Sequence, residues 1–144
     1  MSREFPQFPI PAVAAVVWHE DRVLLVRRGK EPGLGLWSIP GGAVRLGERL
    51  EDAVRRELRE ETGLDVRPVR IIHVVERILP EQGRIRFHYI IVDYLCTVDS
   101  GTLEAASDAR EARWFLQEEL PGLGLSEETL RVIELARSVP SPSP

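Results

Sequence analysis

Residues 42–64 read GAVRLGERLEDAVRRELREETGL, and the folding of this stretch decides how the rest of the chain is read. From about Arg49 to Thr62, the apolar residues Leu50, Ala53, Val54 and Leu58 recur at helical spacing on one side. Glu51 and Asp52 suit the positive first turn of a helix, and Gly63 supplies a stop, because glycine readily takes the left-handed conformation that ends helices. On such a helix Arg55 reaches back to Glu51, while Arg56 reaches back to Asp52 and forward to Glu60. Glu57 and Glu61 find no cation three or four residues away, and they repel one another across a turn. Glu57, Glu60 and Glu61 thus gather carboxylates within an arc of roughly 100°. Two readings stand. The arc is either a solvated acidic face or the ligand set of a hard divalent cation, Mg²⁺ or Mn²⁺, whose charge turns repulsion into coordination.

Outward from the helix, the pattern is that of strands. AVAAVVW (12–18) and RVLLVRR (22–28) are β-rich runs joined by a short HED turn, which predicts a hairpin. GKEPGLGLW (29–37) is a loop, and SIPGGAV (38–44) a short strand broken at Pro40-Gly41-Gly42. DVRPVRIIHVVERIL (65–79) and RIRFHYIIVDYLCTV (84–98) are two long strands meeting at a PEQG turn, and ARWFLQ (112–117) is a further short strand. SEETLRVIELARS (126–138) predicts a second helix with Ser126 as its N-cap. The expectation is one α/β domain over residues 1–144, with a mixed sheet and a helix on each face. Residues 1–9 form an N-terminal extension, and the Pro/Ser-rich 139–144 a flexible tail.

Bulk composition narrows the function. At 144 residues and 43% hydrophobic, the chain has material for one sizeable core. A net charge of −4 argues against attraction to nucleic acid or anionic membranes, while leaving room for an acidic ligand held by a local basic patch or a metal. All basic residues but Lys30 are arginine, a bias that reads as compositional. The lone Cys96 excludes an internal disulfide and a cysteine-based zinc site, and fits a cytoplasmic home. The N-terminal apolar run AVAAVVW follows three prolines and is far short of the roughly 20 residues that span a bilayer, so a soluble protein is expected.

Gly42, Glu48, Arg56, Glu57, Glu60, Glu61 and Gly63 stand at the spacing G-x5-E-x7-R-E-U-x-E-E-x-G-U, with Leu58 and Leu64 at the apolar positions U. This resembles the signature of the Nudix hydrolases at every specified position. The preceding hairpin, the LWSIPGG approach and the late EARWF segment (111–115) are also similar to that family, so the resemblance covers about residues 10–137. It implies an α/β/α sandwich and an enzyme that hydrolyses a diphosphate linked to another moiety. It implies metal binding by Glu57, Glu60, Glu61 and the Gly42 carbonyl. Arg56 and Glu48 would pair to orient those carboxylates, and Gly63 would end the helix. Glu60 or Glu61 would take the proton from the attacking water, with Glu111 as a candidate from a later loop or else an ordinary surface residue. In that family's topology Arg27 and Arg28 end the second strand near the site; alternation lets at most one of them point inward, and Arg28 is taken as the candidate phosphate grip. Trp37 either stacks on a base or packs in the core.

On substrate, Pro80 stands sixteen residues past Leu64, where ADP-ribose-cleaving members often carry proline, but it also serves as a turn former in LPEQG. ADP-ribose or a nucleotide sugar leads. A nucleoside triphosphate pyrophosphatase that cleans the nucleotide pool is the alternative, and a non-catalytic nucleotide-binding module is the alternative from another class. The resemblance further implies a small-molecule nucleotide partner and, as in ADP-ribose-cleaving relatives, a homodimer.

Overall fold

The computed structural model describes residues 3–138; the tail expected at 139–144 lies outside the described residues. Strands β1 (Ile10–His19), β2 (Arg22–Arg28), β3 (Trp37–Ser38) and β4 (Gly41–Ala43) precede helix α1 (Leu50–Thr62). Strands β5 (Leu64–Glu81), β6 (Arg84–Gly101) and β7 (Ala109–Leu116) follow, then helix α2 (Glu127–Ser138). A 3₁₀ stretch at Gln117–Leu123, which carries no helical periodicity to read, links β7 to α2.

The long β5–β6 hairpin forms as the sequence predicts. Its turn residues Gln82 and Gly83 both have positive φ, the requirement of a two-residue turn that matches strand twist. The β1–β2 hairpin is different. These strands pair only at their tip, Trp18 with Val23 and His19 with Arg22. Most of β1 instead runs parallel to β6, from Ile10 opposite Tyr89 to Val17 opposite Cys96. On its other side Ala12, Val13 and Ala14 pair with β4. Strand β2 pairs along its length with β7. The two strands therefore part company, and the gap between them becomes the mouth of a cleft lined by Ala12 and Ala14 on one side and Val26 and Arg28 on the other.

Side-chain alternation gives the sheet two apolar faces. Val13, Ala15 and Val17 of β1, with Tyr94 and Cys96 of β6, pack under Ala53, Val54 and Leu58 of α1. Val16, Leu25, Val75 and Leu95 pack under Val132, Ile133 and Ala136 of α2. This is the α/β/α sandwich. Leu58 is fully buried, so truncation to alanine would destabilise the protein by about 2–5 kcal/mol. Helix α1 ends at Gly63, whose φ of +74° is left-handed and whose N–H donates to the Arg59 carbonyl. The N-terminal extension lies against β6, with the Phe5 N–H donating to the Arg86 carbonyl and Glu4 paired with the Arg86 guanidinium. Ser126 caps α2 by accepting from the Thr129 N–H at 3.1 Å.

Candidate active site

Two glycines allow close packing at β4, Gly41 against β1 and Gly42 against α1. A Cβ at Gly41 would sit 2.1 Å from the Val13 carbonyl oxygen, and one at Gly42 would sit 2.5 Å from the Glu57 carboxyl carbon. At Gly41, where the contact is with backbone, only hydrogen fits; at Gly42 a methyl would have to push the Glu57 carboxylate aside. The Gly41 N–H donates to Glu61 Oε1 at 3.0 Å, so the backbone of β4 orients one of the three glutamates directly. Glu61 is 6% exposed. Burial, and then the charge of Glu57, push its carboxyl up to about 8, although the Gly41 hydrogen bond and Arg28 pull the other way.

Arg56 is the hub that fixes the rest. Its Nε and Nη2 reach the two Glu48 oxygens at 2.8 and 2.9 Å, a bidentate fork, and Nη2 also donates to the Ala43 carbonyl. Those bonds, with the Arg45 N–H contributing less, hold the Glu48 carboxyl down to about 2. Glu48 sits in the loop before α1, so the fork ties that loop to the helix. The third nitrogen, Nη1, donates to Glu57 at 2.7 Å and lies 3.4 Å from Glu60. The sequence expectation that Glu57 faces no cation is therefore corrected. Spacing rules treat adjacent helical residues as divergent, but the guanidinium is long enough to curl back onto its neighbour. Glu60 gains a further cation from outside the helix, Arg45 at 3.4 Å. Arg55 pairs with Asp52.

One cleft of about 370 Å³ collects these groups: Gly42, Arg56, Glu57, Glu60 and Glu61 all line it. Arg28 faces them from β2, its pKa lowered by burial while Glu61 works to raise it. Arg27 points the other way, as alternation requires, and pairs with Glu111 at 3.0 Å. Glu111 is thereby held half-exposed on the outer side of the β2–β7 pair, away from the cleft lining. Trp37 is likewise outside the lining; it packs edge-on against Phe115 at 5.0 Å within the α2-side core. That contact is the packing expected of the core reading of Trp37. Sequence reading missed Arg77, Tyr89, Asp93 and Asp108, which also line the cleft. For Asp93 a signal existed: it is the one charged residue inside the apolar run YIIVDYLC.

With this geometry in place, a family model of the NUDIX domain matches residues 9–135. The chain belongs to the Nudix hydrolase family. An ADP-ribose pyrophosphatase of Methanocaldococcus jannaschii is 34% identical over 122 residues, 85% of this chain and 70% of that protein. The 8-oxo-dGDP phosphatase NUDT18 of Homo sapiens is 30% identical over 128 residues, 86% of this chain but only 37% of that protein. A crystal structure of a MutT NUDIX hydrolase from Burkholderia pseudomallei superposes with a TM-score of 0.75 at 29% identity, covering 90% of this chain and 98% of the other. Among the described residues, no helix is long and apolar enough to cross a membrane.

Nudix hydrolases generally employ divalent metal ions, and the donor chemistry of this cleft suits one. Its carboxylate oxygens are hard ligands, and the raised pKa of Glu61 beside Glu57 marks negative charge in want of a cation. Among the described residues, no three of these groups stand converged as a closed ligand set. Arg56 Nη1 donates to Glu57 at 2.7 Å and lies 3.4 Å from Glu60, the most exposed of the three.

Proposed function

We propose that this Nudix hydrolase cleaves the pyrophosphate bond of a nucleoside diphosphate joined to a further group, with ADP-ribose or a nucleotide sugar as substrate and Mg²⁺, replaceable by Mn²⁺, as cofactor. The observation that carries the reading is the meeting, in one cleft, of Glu57, Glu60 and Glu61 with the half-buried Arg28 opposite. Carboxylates alone would repel a diphosphate, and arginine alone would bind it without activating water. Together they provide for both. The similarity to an ADP-ribose pyrophosphatase over most of the chain supports the substrate class.

Glu57, Glu60, Glu61 and the Gly42 carbonyl would hold the cation. When bound, it neutralises the phosphates and lowers the pKa of a coordinated water. Arg28 grips a phosphate oxygen by charge-assisted hydrogen bonding. Glu61 is oriented by the Gly41 N–H, and in the ionised form that a bound cation would favour, its carboxylate would accept a proton from the attacking water. Glu60 is the second candidate for that role. Arg56 and Glu48 are positioning residues: their fork holds the loop and the helix in register so that the glutamates share one space.

A second reading is hydrolysis of free nucleoside di- or triphosphates, favoured by the similarity to the 8-oxo-dGDP phosphatase. A panel of ADP-ribose, nucleotide sugars and nucleoside triphosphates, assayed with Mg²⁺ for released AMP, phosphate and pyrophosphate, separates these readings. Turnover of none of them, with nucleotides still bound, would establish a binding module instead.

A further inference from the structure

The cleft contains one buried ionisable group for which hydrolysis has no use. Asp93, in the middle of β6, is 2% exposed, and among the described residues no hydrogen bond or cation meets its carboxyl. Burying a carboxyl without a partner is unfavourable, and here burial, then the charge of Glu128, push it up to about 7. The side chain lines the cleft. Its missing partner therefore belongs on the cleft side.

The position of Asp93 relative to the glutamates follows from strand register. Ala14 of β1 pairs with Gly41 on one side and with Asp93 on the other, and the Gly41 N–H holds Glu61. Asp93 thus stands two strand spacings, roughly 10 Å, from the peptide that anchors Glu61. That is comparable to the span between a nucleotide's phosphate and the far edge of its base. The intervening surface is apolar, made by Ala12, Ala14, Val75, Ile91 and Val132. The small Ala12 and Ala14 sit opposite Ile91 and Asp93, leaving room above the sheet. Glu128 and Thr129, from the first turn of α2, close the outer side. Apolar walls with acceptors at the far end suit a flat ring that carries donors on its edge.

We propose that this part of the cleft is the nucleobase subsite and that Asp93 determines base specificity by accepting from the amino group of an aminopurine. The group read is the 6-amino of adenine, or the 2-amino and ring N–H of guanine. Asp93 is distinct from the groups that act on phosphorus. The proposal rests on the pyrophosphohydrolase reading only in taking the ligand to be a nucleotide. A carboxylate only accepts hydrogen bonds. Hypoxanthine has a keto oxygen where adenine has its amine, which would place oxygen against oxygen, and it lacks the 2-amino group of guanine, which would leave only the ring N–H to donate. Discrimination against a base that leaves a buried polar group unpaired is strong.

Equilibrium binding of AMP, GMP and IMP at pH 8.5, where Asp93 is ionised, tests this without requiring turnover. Wild type is expected to bind AMP or GMP at least about 30-fold more tightly than IMP; whichever of the two leads identifies the amino group read. Asp93→Asn, which exchanges one acceptor for a donor, is expected to bring that preference within about threefold while retaining a cooperative thermal transition. Where a dinucleotide-like substrate turns over, the same ratio should appear in kcat/KM for adenine and hypoxanthine versions, with kcat little changed. Wild type binding IMP within threefold of both AMP and GMP overturns the proposal, whether or not the variant folds. A folded Asp93→Asn with an unchanged preference also overturns it. Either failure leaves the hydrolysis reading standing if the phosphate-release panel shows turnover. Absence of turnover with an intact base preference removes the hydrolysis reading alone.

Discussion

Replacing Glu61 by glutamine should make the metal-free protein more stable and the enzyme inactive. The carboxyl of Glu61 moves from an ordinary 4.5 to about 8 in the folded chain. A folded state that binds its proton more tightly than the unfolded chain is favoured at acid pH. That advantage is present below pH 4.5 and is lost as pH rises through the window from 4.5 to about 8. At pH 7.5 the unfolded group is ionised while the folded one is still mostly protonated. The gap of 7.5 − 4.5 = 3 units corresponds to about 4 kcal/mol of lost stability. Glutamine keeps the neutral form at every pH, its carbonyl can still accept from the Gly41 N–H, and its amide can donate to Glu57 in place of repelling it. Relaxation and water entry reduce such burial penalties, so a gain of about 2 kcal/mol, or about 6 °C in Tm for a chain of this size, is expected without metal. The gain should shrink toward zero as the buffer approaches pH 4.5. Saturating Mg²⁺ should reverse the order, because wild type gains from binding what the variant cannot hold. Turnover in Glu61→Gln should fall at least about 10²-fold. Thermal unfolding with EDTA and with Mg²⁺, at pH 5 and 7.5, checks all of this. A metal-free variant that melts below wild type at pH 7.5, or Mg²⁺ that raises both Tm values equally, would refute the reasoning.

Further substitutions probe the remaining parts. Arg56→Ala strands Glu48 and Glu57 beside each other and should destabilise the fold by about 3 kcal/mol in urea unfolding, while Arg56→Lys, which cannot form the fork, should recover only part of that. Gly42→Ala puts a methyl 2.5 Å from the Glu57 carboxyl carbon, so Mn²⁺ affinity measured by titration should weaken by about 10–100-fold. Glu111→Gln should leave kcat/KM within about threefold in steady-state assays, because the carboxylate lies outside the cleft against Arg27. Cys96, almost fully buried and with its thiol pushed up to about 12, should resist a disulfide reagent in the native protein and react fully once guanidinium unfolds it.

The site was legible where its chemistry is local in sequence and obscure where it is not. Helix α1, its glycine stop and its glutamates lie within one short stretch, so spacing alone placed them. The Glu48–Arg56 pair bridges eight positions and followed from family resemblance. The approach of Arg56 to Glu57 escaped because helical spacing describes where side chains start, and a guanidinium ends several bonds away. The β1–β2 hairpin misled for a different reason. Its turn is local and was read correctly, but the parallel partner of β1 lies about 80 residues downstream, and nothing in AVAAVVW specifies it.

The same non-local pairing assembles the rest of the cleft. Had β1 stayed with β2 along its length, Val26 and Arg28 would have faced β1 directly and the gap between the strands would have closed. By leaving β2 after its tip, β1 brings Gly41 and Asp93 to opposite sides of Ala14. One alanine thus sets the separation between the group that holds Glu61 and the carboxyl we assign to the base. A substrate matched to that separation must carry its phosphates and its amino edge about two strands apart. A short phosphoanhydride such as pyrophosphate itself could reach the glutamates but not Asp93. If the geometry governs selection, inorganic pyrophosphate should be hydrolysed no faster by wild type than by Asp93→Asn, whereas nucleotide substrates should distinguish the two.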